Sequence, residues 1–170
     1  MTKSTESANR LTKAAEAFDR GQLHHNNRRY PEALTEFLKA RELDPDTDRY
    51  HFKVAASYHN TDQYQRAIDE YTALISRLEG KPFTELLALA LAFKGGNLAI
   101  LKRFAEAEAL IDRALEMDSV SLVGLAMKGE LRLEQGRVAE ALEWLTQAHE
   151  IDPSNRIVNV LRERAVARLR

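Results

Sequence analysis

The sequence contains no cysteine, which excludes disulfide bonds, thiolate metal ligands and cysteine nucleophiles. This absence is compatible with a reducing compartment, and we expect a cytoplasmic protein. Charge of one sign is also lacking, since 25 basic and 26 acidic residues leave a formal net charge of −1. Such a balance gives no global field that would attract nucleic acid or an anionic membrane, so neither is expected as a partner.

Long hydrophobic runs are absent as well. The longest, residues 86–93, spans eight residues, whereas a membrane helix needs about 20. The N-terminal stretch MTKSTESANRLTKAAEAF has no apolar segment of the kind found in secretory signals. We therefore expect a soluble protein without a membrane-inserted segment.

Glycine and proline are scarce, at 7 and 4 residues, so few positions interrupt the chain. Valine, isoleucine and threonine do not alternate with polar residues as they would in half-buried strands. Alanine, leucine, glutamate, arginine and lysine dominate, which favours helices. The 170 residues suffice for one domain with a sizeable core or for a short array of repeats.

Four segments of the chain align on one alanine each, at intervals of 34, 40 and 34 residues. The aligned alanines are Ala33, Ala67, Ala107 and Ala141. Four positions after each alanine comes a large apolar residue: Phe37, Tyr71, Ile111 or Leu145. Twelve positions before each alanine comes a small residue, which would let two helices approach closely: Gly21, Ala55, Gly95 or Gly129. Three residues after Gly129 stands Arg132, a poor match to the apolar contact expected there.

This pattern resembles the tetratricopeptide repeat, W-x2-L-G-x2-Y followed by A-x3-F and P, at a period of about 34 residues. The stretch HFKVAASY stands where that family has its first motif, with His51 in place of tryptophan. The resemblance implies an all-α fold, a right-handed superhelical solenoid of antiparallel helix pairs. It predicts one domain over residues 1–170, with repeats at approximately 14–47, 48–81, 88–121 and 122–155 and a capping helix at 156–170.

Two connecting segments carry signals of their own. Six additional residues before the third repeat fall near SRLEGKPFTE, where Gly80 should end one helix and Thr84 should cap the next. After Pro153, the capping helix should turn its apolar residues toward the last repeat. These apolar residues are Ile157, Val160, Leu161 and Val166.

In the family that this chain resembles, the first helices of the pairs line a concave, peptide-binding groove. The helical period assigns the residues that would face it. In the first two repeats they are Phe18, Gln22, His25, Asn26, Arg49, Phe52, Ala56, His59 and Asn60. In the last two repeats they are Leu89, Ala92, Val123, Ala126 and Glu130. Alternatively, the alanines and leucines at these positions simply contact the next repeat.

The resemblance implies a protein–protein interaction module, whose partner is a peptide or helical segment of another protein. One alternative is a secretion-type chaperone that holds an apolar client segment. The other is a structural assembly subunit that self-associates through its apolar third repeat, which would make it a homo-oligomer. The carboxylate clamp of some chaperone-binding members is absent, because Phe18 and Gln22 occupy its first-repeat lysine and asparagine positions.

The sequence predicts no catalytic residue, no metal site and no cofactor, and we expect no enzyme activity. The histidines of the first two repeats lack the i, i+4 spacing or cysteine partners of a zinc site. The stretch KGGN lacks the ending of a phosphate-binding loop. The pair His-Asn at residues 25–26 recurs at 59–60 and marks the repeat register. Whether these pairs also contact a ligand stays open.

Overall fold

The computed structural model describes residues 3–82 and 85–169, so the expected cap at Thr84 lies outside the described residues. Within these ranges every regular element is an α-helix. The helices are α1 (Lys3–Asn26), α2 (Tyr30–Leu43), α3 (Asp48–Asn60), α4 (Tyr64–Leu78), α5 (Glu85–Ile100), α6 (Phe104–Met117), α7 (Leu122–Glu134), α8 (Val138–Ile151) and α9 (Arg156–Ala167). The predicted all-α class and its helix pairs are confirmed.

The chain divides into two compact units, unit 1 (Met1–Arg77) and unit 2 (Leu78–Arg170). Unit 1 contains the first two helix pairs up to Arg77, and unit 2 contains the next two pairs and α9. That the whole chain forms a single domain stays a prediction.

The residues that define the repeat are the residues that hold each helix pair together. All four aligned alanines, and the large residue four positions after each, are fully buried. A β-carbon added at Gly95 would lie 2.5 Å from Cγ1 of Ile111 and 3.1 Å from the carbonyl oxygen of Ala107. At Gly129 it would lie 2.6 Å from Cγ of Leu145. A small residue is therefore needed where the first helix crosses the second, because at these two glycines even a β-carbon would require a neighbouring side chain to shift.

A three-residue turn joins the helices of each pair. Its middle residue has a left-handed backbone, with φ of 59° at Arg28 and at Asp62, 63° at Lys102 and 79° at Gly136. The N–H that follows this residue donates back to the last turn of the first helix, as from Arg29 to the carbonyl oxygen of His24 at 2.9 Å. This hydrogen bond ends the first helix and directs the chain into the second.

Aromatic rings connect the helices of unit 1. The Phe18 ring lies 5.5 Å from Phe37 on α2 and 5.1 Å from Tyr50 on α3. The Phe52 ring on α3 lies 5.6 Å from Tyr71 on α4. Phe18 therefore belongs to the core that joins the first pair to α3.

Two cations in unit 2 occupy positions where the repeat pattern has apolar contacts. Lys128 donates to Glu108 at 2.9 Å and to Asp112 at 2.5 Å, and Arg132 donates to Glu108 at 2.6 Å. The hydrogen bonds from Arg132 and Lys128 lower the pKa of Glu108 to about 2. The mismatch at Arg132 is thus part of an ion-pair network between α6 and α7, with Glu140 of α8 3.5 Å away.

The prediction for the C-terminal helix was wrong in part. Leu161 is buried as expected, but Ile157, Val160 and Val166 are 52%, 45% and 45% exposed. The residues of α9 that are buried are Val158, Leu161 and Ala165. Each stands 34 residues after a buried residue of α7, namely Gly124, Met127 and Leu131. The helix α9 therefore continues the 34-residue register and packs like the first helix of a further repeat. This register decides which of its faces is buried.

Candidate functional site

The candidate site in unit 1 is the α1/α3 face, defined as the nine groove residues predicted in the first two repeats. Asn26 and Arg49 are exposed. Six further residues are half-buried: Gln22, His25, Phe52, Ala56, His59 and Asn60. Eight of the nine thus retain surface, although whether a ligand contacts them stays a prediction.

Phe18 differs from the rest of the α1/α3 face. It is only 7% exposed, because it packs among the aromatic rings of the unit 1 core. The guanidinium carbon of Arg49 lies 4.7 Å from the centre of its ring, a cation–π contact. The predicted groove position of Phe18 is therefore covered, and the group exposed above it is the guanidinium of Arg49.

The recurring histidines pack on the aromatic residue that begins the next helix. The His25 ring lies 5.6 Å from Tyr30, and the His59 ring lies 5.7 Å from Tyr64, both edge to face. Burial, and then the positive charge of Lys53, lower the pKa of His25. His25 is therefore mainly neutral at pH 7, where each ring nitrogen can donate or accept depending on tautomer.

Lys53 lies beside this face, at a position that the helical period does not assign to the groove. It is half-buried one turn after Arg49, and its pKa is lowered by burial and then by the charge of Arg49. On α1, the side-chain oxygen of Gln22 is buried and has no hydrogen-bond partner within the described residues. The i, i+4 spacing of Arg49 and Lys53 could have revealed the pair, because residues at that spacing share a helix face.

In unit 2 the predicted groove residues are mostly covered. Ala92 and Ala126 are each 1% exposed, and Glu130 is 8% exposed. A β-carbon at Gly96 would lie 2.6 Å from Sδ of Met127, so α5 and α7 approach closely here. The packing of these small residues supports the alternative that they contact the next repeat.

Leu89 and Val123 keep more surface. Both are half-buried and line one shallow depression between the start of α5 and the start of α7. Val120, which is 70% exposed, lies at its edge. Among the predicted groove residues of unit 2, apolar surface therefore remains at this end of α5 and α7.

Ion pairs occupy the other end of the α7 surface. Arg164 of α9 lies 3.3 Å from Glu130 and 2.9 Å from Glu134. Lys102 lies 2.5 Å from Glu134, and Arg168 donates to the carbonyl oxygen of Leu133. The predicted groove residue Glu130 is thus engaged by α9.

Other kinds of site find little support in the described structure. Within residues 3–82 and 85–169, no group of three or more His, Cys, Asp or Glu side chains could hold a metal ion. In the same ranges, none of the helices combines the length and the apolar character that crossing a bilayer requires. The glycines of KGGN lie at helix crossings, Gly95 against Ile111 and Gly96 against Met127.

Comparisons with known proteins agree with the helix pairing. A family model described as tetratricopeptide repeat matches residues 18–82 and 87–156. The thermophilic TPR protein TTC0263 of Thermus thermophilus has a TM-score of 0.73 and 17% identity, covering 91% of this chain and 87% of that one. Pseudomonas aeruginosa pilF has a TM-score of 0.66 and 18% identity, covering 95% and 71%.

A chain of the APC/C hetero-tetramer Cut9–Hcn1 is similar over a smaller part of its own length. Its TM-score is 0.72 at 15% identity, and the match covers 91% of this chain and 30% of that one. At identities of 15–18%, these likenesses show the fold alone.

Proposed function

Because the chain belongs to the tetratricopeptide repeat family, we propose that it is a protein-interaction module that binds a peptide or helical segment of a partner on its first helices. Stacked helical repeats of this kind offer extended surfaces for other proteins. One structurally similar chain is part of a hetero-tetramer. No enzyme activity enters this proposal.

The observation that carries the proposal is the α1/α3 face. The large residues of the second helices are used inside the pairs, whereas eight residues of this face keep exposed surface. Phe52 supplies a partly exposed aromatic anchor, of the kind that dominates binding energies at interfaces. The amides of Asn26 and Asn60 can each donate and accept, so they suit the backbone of a bound segment. In unit 2, Leu89 and Val123 provide a smaller apolar surface.

The test is capture of a partner from the native lysate by wild type and by two variants of the face, Phe52→Glu and Ala56→Glu. Both introduce a charge into the α1/α3 face, and we expect both to abolish capture of the same partner. Ala56→Glu is included because Phe52 also packs on Tyr71, so its loss could disturb folding. Ala73→Glu is the matched control, since Ala73 is an exposed residue of α4 in the same unit.

Unchanged capture by Phe52→Glu and Ala56→Glu, with helical circular dichroism intact, would exclude the face as the binding surface. Equal loss in Ala73→Glu would show that any added charge in unit 1 abolishes capture. Either result contradicts the proposal.

Self-association is a second candidate, and α9 is the feature that favours it. Four apolar side chains on α9 and just after its end are 45–61% exposed: Ile157, Val160, Val166 and Leu169. Light scattering over a dilution series should then show a concentration-dependent mass that Val160→Glu and Val166→Glu reduce. A monomer at every concentration would exclude this candidate.

A further inference from the structure

We propose that the cationic pair Arg49 and Lys53 binds the side-chain carboxylate of an internal acidic residue in the partner segment. This inference rests on the proposed function and adds the chemistry of the partner. It predicts that the segment held on the α1/α3 face carries an aspartate or glutamate within its length.

The two cations are positioned by the fold. The Arg49 guanidinium lies over the Phe18 ring at 4.7 Å, so its orientation is set by a buried residue of α1. Lys53 follows one turn later on α3 and is half-buried. It is close enough to His25 for its charge to lower the pKa of that histidine. A guanidinium held in this way loses little additional freedom when a carboxylate binds to it.

No carboxylate lies within ion-pair distance of Arg49 or Lys53 in the described residues. Three other cations of unit 1 have carboxylate partners: Arg20 with Glu36, Arg41 with Glu70 and Arg77 with Asp48. Neither Arg49 nor Lys53 forms an ion pair with any carboxylate in residues 3–82 and 85–169. A half-buried ammonium beside a guanidinium is unfavourable without an anion, which a ligand carboxylate would provide.

An internal residue fits better than a chain terminus. The α1/α3 face continues beyond the cationic pair to Asn26 on α1 and to Asn60 on α3. A segment whose carboxylate lies at Arg49 and Lys53 can therefore extend further and place its backbone against these amides.

The experiment is selection from a 12-residue peptide library displayed with both ends tethered in a loop, so that no displayed peptide has a free terminus. Wild type should enrich peptides with one fixed Asp or Glu. The Arg49→Gln/Lys53→Gln variant should show no acidic preference. The matched control is Lys39→Gln, an exposed lysine of α2 in the same unit.

Selected peptides are then synthesised with amidated and with free C-termini and titrated calorimetrically. We expect each single cation substitution to weaken binding about 10-fold, as hydrogen bonds to charged groups do. Replacing the fixed acidic residue by Gln or Asn should produce the same loss, and the double variant should then be insensitive to that replacement. Amidation should change nothing.

Several outcomes would overturn the inference. Binding that is lost on Phe52→Glu but unaffected by the loss of both cations would leave the proposed function standing and remove the carboxylate site. Binding that disappears on amidation would assign the site to a chain terminus. A library without any peptide that depends on Phe52 or on the cations would count against both proposals.

Discussion

Removing the two carboxylates that face Lys128 should destabilise unit 2 more than removing Lys128 itself. The Lys128 side chain is 5% exposed, whereas those of Glu108 and Asp112 are 36% and 47% exposed. When Lys128 is removed, water can solvate the partly exposed carboxylates that remain. When the carboxylates are removed, the buried ammonium group of Lys128 stays without such solvation. The cost of breaking the network therefore depends on which side is removed.

The structure sets the expected size of the effect. Glu108→Ala/Asp112→Ala leaves a buried charge without a carboxylate, for which about 3–5 kcal/mol is the usual cost. Lys128→Met keeps the length and apolar stem, and should cost about 1.5 kcal/mol or less. Arg132 retains Gln135 at 2.9 Å and Glu140 at 3.5 Å in all of these variants. Adding Lys128→Met to the double variant should thus recover about 2 kcal/mol.

Urea unfolding followed by fluorescence provides the assay. Trp144 is the only tryptophan and lies on α8 in unit 2, so its emission reports on this unit. Glu116→Ala is the control, because Glu116 is an exposed carboxylate of the same helix α6. A triple variant no more stable than the double variant would refute the argument that the buried ammonium dominates the cost.

Three further predictions concern the same fold. The folded-state pKa of Glu108, about 2, lies below its ordinary value of about 4.3, so its stabilising contribution is complete above that value and is lost as the pH falls toward 2. The urea midpoint should decline less between pH 4.5 and 2 in Glu108→Gln than in wild type. Parallel declines in the two proteins would contradict this reading. Gly95→Ala should lower the melting temperature. Overpacking against Ile111 costs about 1–3 kcal/mol, which exceeds the gain in helix propensity of about 1 kcal/mol. A higher melting temperature would show that the helices can separate freely. Arg28→Gly should stabilise the fold and Gly136→Ala should destabilise it, each by about 0.5–1 kcal/mol, because both residues have φ near that of a left-handed helix. Melting temperatures that shift in the same direction in the two variants would exclude backbone strain as the cause.

Most of the correct predictions followed from the 34-residue period of the repeats. Ala33 and Phe37 are recognisable in sequence because their environment, the crossing of two helices, is local and recurs in every repeat. The wrong assignment on α9 came from treating it as a separate cap. Had the 34-residue register been continued, it would have placed Val158, Leu161 and Ala165 inward.

The α1/α3 face shows where sequence reasoning stopped. The helical period placed Phe52 and the amide side chains on one face, but it could not show that Phe18 is covered by Phe37 and Tyr50. It also did not identify Lys53, because the packing of α3 against α1 brings the charge of Lys53 near His25.

The sequence by itself determined the helices, their pairing and the register, because each of these follows from residues within about 34 positions of one another. Only the tertiary structure decided which residues of the first helices keep exposed surface. It also decided that the cations at Lys128 and Arg132 have carboxylate partners, whereas those at Arg49 and Lys53 have none within the described chain. Burial and charge pairing depend on side chains from different repeats, and no local pattern records which of them meet.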